Sequence, residues 1–309
     1  MNALRLAALA ALILFRPCLA GGLSIEADSV VWTGNGRGNY HVFDPVAQSQ
    51  TAGFEVSRVG GSAATDFFVS FSSVTQGAFA RVLTGSNRSL QYQLYDTPSF
   101  SSILGGLPSA DSAQVIRGRF SPGELKKQLT FVMVIPPMQI CPPGDYSGTV
   151  TLILCEGTLD RFTEVESHTV RISCRVSAVA ELSLINQGGA FTPDAVLKKL
   201  DFGNLEKDKS LGFDLRVRSN TPYDVWMESE NGGQMKSADP ADSSVIPYTL
   251  SISGNFVDLR QRVAISVPET SSRATDQGDR LEVTVRIGDT EEASAGTYRD
   301  TITITVVGK

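Results

Sequence analysis

Three segments recur in the same order along the chain, and this duplication limits the fold more than any other feature. Gly53-Phe54-Glu55-Val56 answers Gly212-Phe213-Asp214-Leu215, and Leu90-Gln91-Tyr92-Gln93-Leu94 answers Ile246-Pro247-Tyr248-Thr249-Leu250. Gly144-Asp145-Tyr146-Ser147-Gly148-Thr149-Val150-Thr151 answers Gly296-Thr297-Tyr298-Arg299-Asp300-Thr301-Ile302-Thr303. The offsets, 159, 156 and 152, drift slowly, as differences in loop length would make them. One unit of roughly 130–160 residues is therefore present twice. Within each copy apolar residues alternate with period two, which is the pattern of a half-buried strand. Val30–Trp32, Phe67–Ser72, Leu90–Tyr95, Leu129–Ile135 and Thr149–Leu154 are strands of the first copy. Leu211–Val217, Val225–Glu228, Tyr248–Ser253, Leu281–Ile287 and Thr301–Val306 serve the second, and only Pro193–Leu200 reads as briefly helical. With 28 glycines and 14 prolines to turn the chain, the expected fold is all-β: two immunoglobulin-like antiparallel β-sandwiches in tandem. The expected domains are 21–178 and 179–309. The stretch Ala178–Glu181 has no Gly or Pro, so a strand is expected to run from one domain into the next.

The two copies end differently. In the first, the strand with Val150, Leu152 and Leu154 inward is followed by another, His168–Val176, with Val170, Ile172, Cys174 and Val176 on one face. In the second, Ile302, Ile304 and Val306 share a face and no further strand is read after them, so this sandwich is expected to lack its last strand. Four or five inward side chains at roughly 1.5–3 kcal/mol each make such a strand worth on the order of 6–15 kcal/mol. A whole domain is stable by only about 5–15 kcal/mol. The expectation is an open apolar groove bordered by Ile302, Ile304 and Val306, with Tyr298 near its mouth, which another chain fills by strand addition. The alternative is a sandwich of one fewer strand that closes normally.

Residues 1–20 read as a cleavable secretory signal: Arg5, ten apolar residues from Leu6 to Phe15, then Cys18-Leu19-Ala20. Ten residues are too few for a membrane span, which needs roughly 20. The mature protein is expected to be exported and soluble. The net charge of −6 becomes −8 once Arg5 and Arg16 are removed, leaving 25 cations against 33 acids. Nucleic acid is thus not an expected partner, because a phosphate backbone is gripped by a basic field.

No enzyme signature is found. Of the two histidines, His41 follows a glycine-rich turn and His168 lies on a strand, and no Gly-x-Ser-x-Gly elbow presents a nucleophile. Gly34-x-Gly36-x-Gly38 lacks the helix that phosphate binding needs. Asp289–Glu292 lacks calcium-loop spacing, and Asn87-Arg88-Ser89 is a formal glycosylation sequon. No catalytic residue, metal site or cofactor is expected.

Further motifs carry a resemblance. Asn39-Tyr40-His41-Val42-Phe43-Asp44-Pro45, Leu90–Asp96 and Pro143–Thr151 resemble the spore coat protein U domain, which also forms subunits of archaic, Csu-type chaperone–usher pili. The second copy resembles pilin domains more generally through Leu200-Asp201-Phe202-Gly203, Arg218–Tyr223, Asn231–Met235 and the Gly-x-Tyr-x-x-Thr strand. The resemblance implies a two-domain tip subunit with an N-terminal adhesin domain and an incomplete C-terminal pilin domain. Its implied partners are a periplasmic pilus chaperone, an outer-membrane usher, the adjacent pilin subunit and a host or abiotic surface; its implied location is the extracellular pilus or cell surface, reached through the periplasm. A free donor strand for a shaft role would have to come from Gly21–Val31, which flows into the first domain and so favours the tip. Where the family carries cysteines this chain has Arg58 and Glu181 or its neighbours, so the family's disulfide does not transfer.

The mature cysteines are Cys141, Cys155 and Cys174. If the strands of Val150–Leu154 and Val170–Val176 pair, Cys174 points inward and Cys155 outward. Cys141–Cys174 is then the preferred disulfide and Cys155–Cys174 the alternative. Candidate adhesive residues are Phe79, then Phe100, Ile103, Leu104 and Leu107 in a Gly/Ser/Pro-rich loop, and Met138 and Ile140 in a third loop. Exposed apolar side chains there could insert into surface crevices, unless the loops fold back and cap the sandwich. Competing readings are a secreted coat or matrix protein of spore coat U type assembled without an usher, and a periplasmic hydrolase or sugar-binding protein.

Overall fold

The computed structural model describes residues 22–34, 38–61, 63–72, 81–86, 88–107, 112–261, 263–266 and 276–309. The expected signal segment, most of the glycine-rich turn, Phe79 and Asn87 lie outside these residues. Strand dominates, and no α-helix occurs among the described residues. The first half contains β1 (Leu23–Glu26), β2 (Val30–Val31), β3 (Gln48–Arg58), β4 (Thr65–Phe71), β5 (Arg81–Thr84), β6 (Ser89–Tyr95), β7 (Ile116–Phe120), β8 (Lys126–Ile135), β9 (Gly144–Thr158) and β10 (Arg161–Val176). The second contains β11 (Ala180–Ile185), β12 (Ser210–Ser219), β13 (Tyr223–Ser229), β14 (Gln234–Ser237), β15 (Val245–Ile252), β16 (Asn255–Val257), β17 (Val263–Ser266), β18 (Asp279–Ile287), β19 (Tyr298–Arg299) and β20 (Ile302–Gly308).

Alternation along these strands builds two separate hydrophobic cores. One gathers Phe54, Phe67, Phe71, Phe120 and Phe131 with the inward faces of β9 and β10. The other gathers Phe213, Leu215, Tyr223, Met227, Leu250 and Val283. All-β architecture in two sandwiches is what the period-two pattern dictates, since each strand has one face to hide and one to wet.

The duplication seen in the sequence is a duplication of topology. The path β1-β3-β8-β6-β5-β9 recurs as β11-β12-β18-β15-β14-β19, and β4, flanked by β7 and β9, recurs as β13, flanked by β17 and β20. Ser147 of β9 pairs with Thr84 of β5, and Arg299, its repeat mate, pairs with Lys236 of β14. One element breaks the correspondence. β10 forms an antiparallel ladder along β9 from Arg161↔Thr158 to Val176↔Gly144, and β20 has no such neighbour among the described residues.

Two local expectations are corrected. Pro193–Leu200 is not helical; it lies against the edge of β11, where the Leu184 N–H donates to the Ala195 carbonyl at 2.6 Å, a contact that competes with helix formation. The domain junction is not a continuous strand either. β10 ends at Val176, β11 begins at Ala180, and Asn220 pins the residues between. Its Nδ2 donates to the carbonyls of Cys141 (3.1 Å) and Ser177 (2.8 Å), and its Oδ1 accepts from the Val179 N–H (2.8 Å). Beside it the Arg218 guanidinium lies between Phe43 of the first half (4.7 Å) and Phe191 of the second (4.3 Å), with Nε 2.6 Å from Glu181.

Candidate functional site

The alternation of an antiparallel ladder fixes which backbone groups of an edge strand are spent. β20 pairs with β13 from Ile302↔Ser229 to Gly308↔Tyr223. Glu230 N–H donates to the Thr301 carbonyl (2.9 Å) and Lys309 N–H to the Pro222 carbonyl (2.7 Å). The odd-numbered residues therefore face β13, and the N–H and C=O groups of Ile302, Ile304 and Val306 point the other way. The side chains of the same three residues pack against the second core and are only half-buried.

The facing wall is β11, the terminal strand of the larger sheet, and its Ala180 lies near Gly308 of β20. Because Leu184 N–H points away from β12 to reach Ala195, Leu182, two residues back, also directs its backbone groups away from β12, on the side that Ala195 occupies at Leu184. Leu182 and Leu184 are half-buried against the same core. An apolar groove thus runs between two sheet edges. Sequence reasoning found its β20 wall and missed Leu182 and Leu184, which follow directly on the expected boundary at Ala178–Glu181, although their alternation was visible.

The first half shows how such a groove closes. There Val150, Leu152 and Leu154 are at most 1% exposed, and β10 above them buries Val170 and Ile172 equally well. β10 also seals the β1 edge: Glu166 Oε2 accepts the Ile25 N–H at 2.9 Å, and His168 Nε2 lies 2.9 Å from the Ala27 carbonyl. Tyr298 sits on β19, four residues before Ile302, half-buried against the second core, with its hydroxyl donating to the Ser294 carbonyl (2.8 Å) and bonded to the Ser244 hydroxyl.

The candidate adhesive residues do not form one surface. Leu104 is 1% exposed and belongs to the first core. Leu107 packs on a satellite cluster of Phe68, Val115 and Cys155, and Ile140 packs against the first core. These three are corrected: their loops fold back and cap the sandwich, which hides apolar area at no cost in backbone pairing. Ile103 bridges to Tyr95 and is half-buried. Met138, half-buried with φ +56°, neighbours Gln139, whose side chain bonds to the backbone of Gln91 near the start of β6. Phe100 follows the other end of β6, is 42% exposed at φ +55°, and packs against Tyr95 with ring centroids 5.3 Å apart.

The expected Cys141–Cys174 bridge is not formed; all three thiols are free and buried. Cys141 and Cys174 share the first core, and burial, then the neighbouring Cys141, push the Cys174 thiol up to about 12. Burial raises Cys141 too, against the lowering contact of Tyr146. Cys155 faces away from the main core as expected, yet it is covered by Phe68 and Val115. Thiols held protonated in this way are poor nucleophiles. His41 lies 3.6 Å from Glu181 at the domain junction, far in the fold from His168 on β10. Among the described residues no three His, Cys, Asp or Glu side chains are grouped to hold a metal.

No protein-family profile matches the chain, and no curated protein sequence does. Solved structures are similar in arrangement. The chain resembles the tip adhesion subunit in the CsuC–CsuE chaperone complex from archaic Csu pili of Acinetobacter baumannii (15% identity, 92% of this chain and 99% of that one, TM-score 0.46). It is also similar to CfaE, the adhesive subunit of CFA/I fimbria of enterotoxigenic Escherichia coli (13%, 92% and 93%, 0.37), and to the CupB6 tip adhesin of Pseudomonas aeruginosa (9%, 93% and 96%, 0.38).

Proposed function

We propose that this chain is an exported, non-enzymatic subunit of an archaic chaperone–usher pilus, placed at its tip, whose second sandwich is completed by a strand from another chain. The observation that carries the reading is the edge of β20. Ile302, Ile304 and Val306 turn half-buried side chains, and backbone groups unpaired among the described residues, toward a groove whose counterpart in the first half is filled by β10. A donated strand would run antiparallel to β20, as β10 does to β9, with alternate apolar side chains entering between Leu182 and Ile304. Main-chain bonds would supply affinity and the alternate pockets specificity. A periplasmic chaperone would donate the strand first, and the neighbouring subunit would replace it at an outer-membrane usher. The first sandwich, whose own core is closed, would be free to contact a host or abiotic surface, with Phe100 one of the exposed aromatic side chains available for it.

The test is thermal unfolding of the full mature chain with and without a synthetic peptide of alternating apolar residues. At a hundred times its Kd a ligand of the folded state adds about 2.7 kcal/mol, so the midpoint of the second sandwich should rise by roughly 10 °C. Ile304→Asp should abolish that rise. An unchanged midpoint at saturating peptide would show that the second sandwich closes unaided and would favour the coat or matrix reading.

A further inference from the structure

A second unspent sheet edge lies in the first half, on the side of the sandwich where the chain changes sheets. β1 pairs with β3 only as far as Glu26↔Glu55. The next residues cross to the other sheet, where β2 runs parallel to β10 with Val30 opposite Ile172. β3 continues without that partner. Arg58 N–H donates to Leu125 of the chain leading into β8, and Val59 N–H donates to Gly22 on the β1 side (3.4 Å). The odd-numbered residues of β3 thus face β1, so Thr51 and Gly53 direct their N–H and C=O groups into the gap. Both residues are exposed, and no bond to these groups occurs among the described residues.

The gap is a cleft of about 920 Å³ between β3 and β2, within the range in which ligand sites fall, roughly 300–1,000 Å³. Gln50 closes one end, donating to the Val31 carbonyl (2.8 Å) and accepting from the Thr33 N–H (2.7 Å). The second half shows the same edge covered. Gly212, the repeat mate of Gly53, has Gln187 over it, so that a β-carbon there would meet the Gln187 amide at 2.6 Å, and Gly188 N–H is bonded to Asp214. Over Gly53 the nearest atom to such a carbon is the Leu129 carbonyl oxygen at 3.7 Å, which belongs to β8 and not to the cleft. In one half the Gln187 side chain covers this edge, and in the other the edge is left open among the described residues.

Charge selects what could lie there. Glu26, Asp28 and Glu55 line the cleft with Lys126. Lys126 is held by Glu55 at 2.7 Å, which leaves Glu26 and Asp28 without an ion pair among the described residues. We propose that this cleft binds an extended polypeptide segment carrying lysine or arginine, added antiparallel to β3 through Thr51 and Gly53. The site is separate from the β20 groove and does not depend on it.

The test uses the full mature chain and a fluorescent peptide of alternating Lys and Thr, too polar for the β20 groove, followed by anisotropy. Saturable binding is expected. The Glu/Thr counterpart of the peptide should not bind, and methylating alternate backbone nitrogens should weaken binding at least tenfold. Thr51→Pro removes an outward N–H and no bond to β8, and it should have a similar effect. Asp28→Lys, a surface change, should cost at least fivefold and keeps the test alive if Thr51→Pro fails to fold. Ile304→Asp should leave binding unchanged. Absence of binding at millimolar peptide, equal binding of the Glu/Thr or methylated peptides, or loss of binding in Ile304→Asp would each overturn the proposal.

Discussion

Val150, Leu152 and Leu154 of β9 and Ile302, Ile304 and Val306 of β20 hold the same places in a duplicated fold. The first three are at most 1% exposed, whereas the second three stay half-buried. Their sequences alternate alike, and their first neighbours, β4 and β13, correspond. The difference is the strand on the other side. Burial here belongs to a pair of strands and not to one, so a half with β10 is a finished sandwich and a half without it presents a binding edge. The sharpest way to break this comparison is to place a charge on each side of it. Ile172→Asp, in β10, puts a carboxylate into a closed core at a position 0% exposed. An uncompensated buried charge costs about 3–5 kcal/mol, enough to unfold much of a marginal domain. Ile304→Asp should cost only about 1–2 kcal/mol in the free chain, because the new carboxylate can reach water. Trp32 reports the first half and Trp226 the second, so urea titrations of Trp32→Phe and Trp226→Phe backgrounds read the two separately. Equal losses would mean that the β20 groove is as closed as the β9–β10 interface.

Strand alternation and the three repeats made the architecture legible, down to which faces of β9 and β10 are buried. Two kinds of feature were not legible. Leu104, Leu107 and Ile140 looked like exposed loop residues because local composition says nothing about where a loop folds back, and each found a core to cover. The cleft beside β3 depends on the departure of β1 from its partner at Glu26, a tertiary event with no signature in Ala27-Asp28-Ser29. The half of the acceptor groove that β20 supplies was visible as alternation. The half that β11 supplies was missed because nothing local in the alternation of Leu182 and Leu184 says that this edge faces β20, more than a hundred residues away.

The comparison assumes that the two halves can be read apart, and Arg218 decides how far that holds. Its guanidinium, 11% exposed, touches Phe43 across the junction while pairing with Glu181 at 2.6 Å. Arg218→Ala leaves Glu181 facing His41 alone and removes two cation–π contacts, each worth about 0.5–2 kcal/mol. We expect a loss of roughly 2–3 kcal/mol, borne by the second half, and a wider gap between the unfolding transitions reported by the two tryptophans. Transitions that stay as close as before would place the coupling in Asn220 and not in the Arg218 stack.

Acid should separate the halves by a smaller margin. Glu55 and Asp214 are repeat mates, and each pairs with a cation on the next strand, Lys126 at 2.7 Å and Arg280 at 2.7 Å. Glu55 keeps contact with water at the cleft, while Asp214 is fully buried beneath Gln187–Gly189. Burial alone would raise the Asp214 carboxyl, but the bond to Arg280 and the Gly188 N–H outweigh it and hold the group below its ordinary value. A carboxylate whose pKa is lower folded than unfolded adds stability above the unfolded value, near 3.9, and loses that contribution as pH falls through the folded value. The urea midpoint of the second half should therefore fall below about pH 4. In Asp214→Asn it should start lower and vary less with pH in that range. Glu55→Gln should shift the first half by no more than an exposed pair is worth, about 0–1 kcal/mol. Parallel acid limbs in wild type and Asp214→Asn would show that another group governs the acid response of the second half.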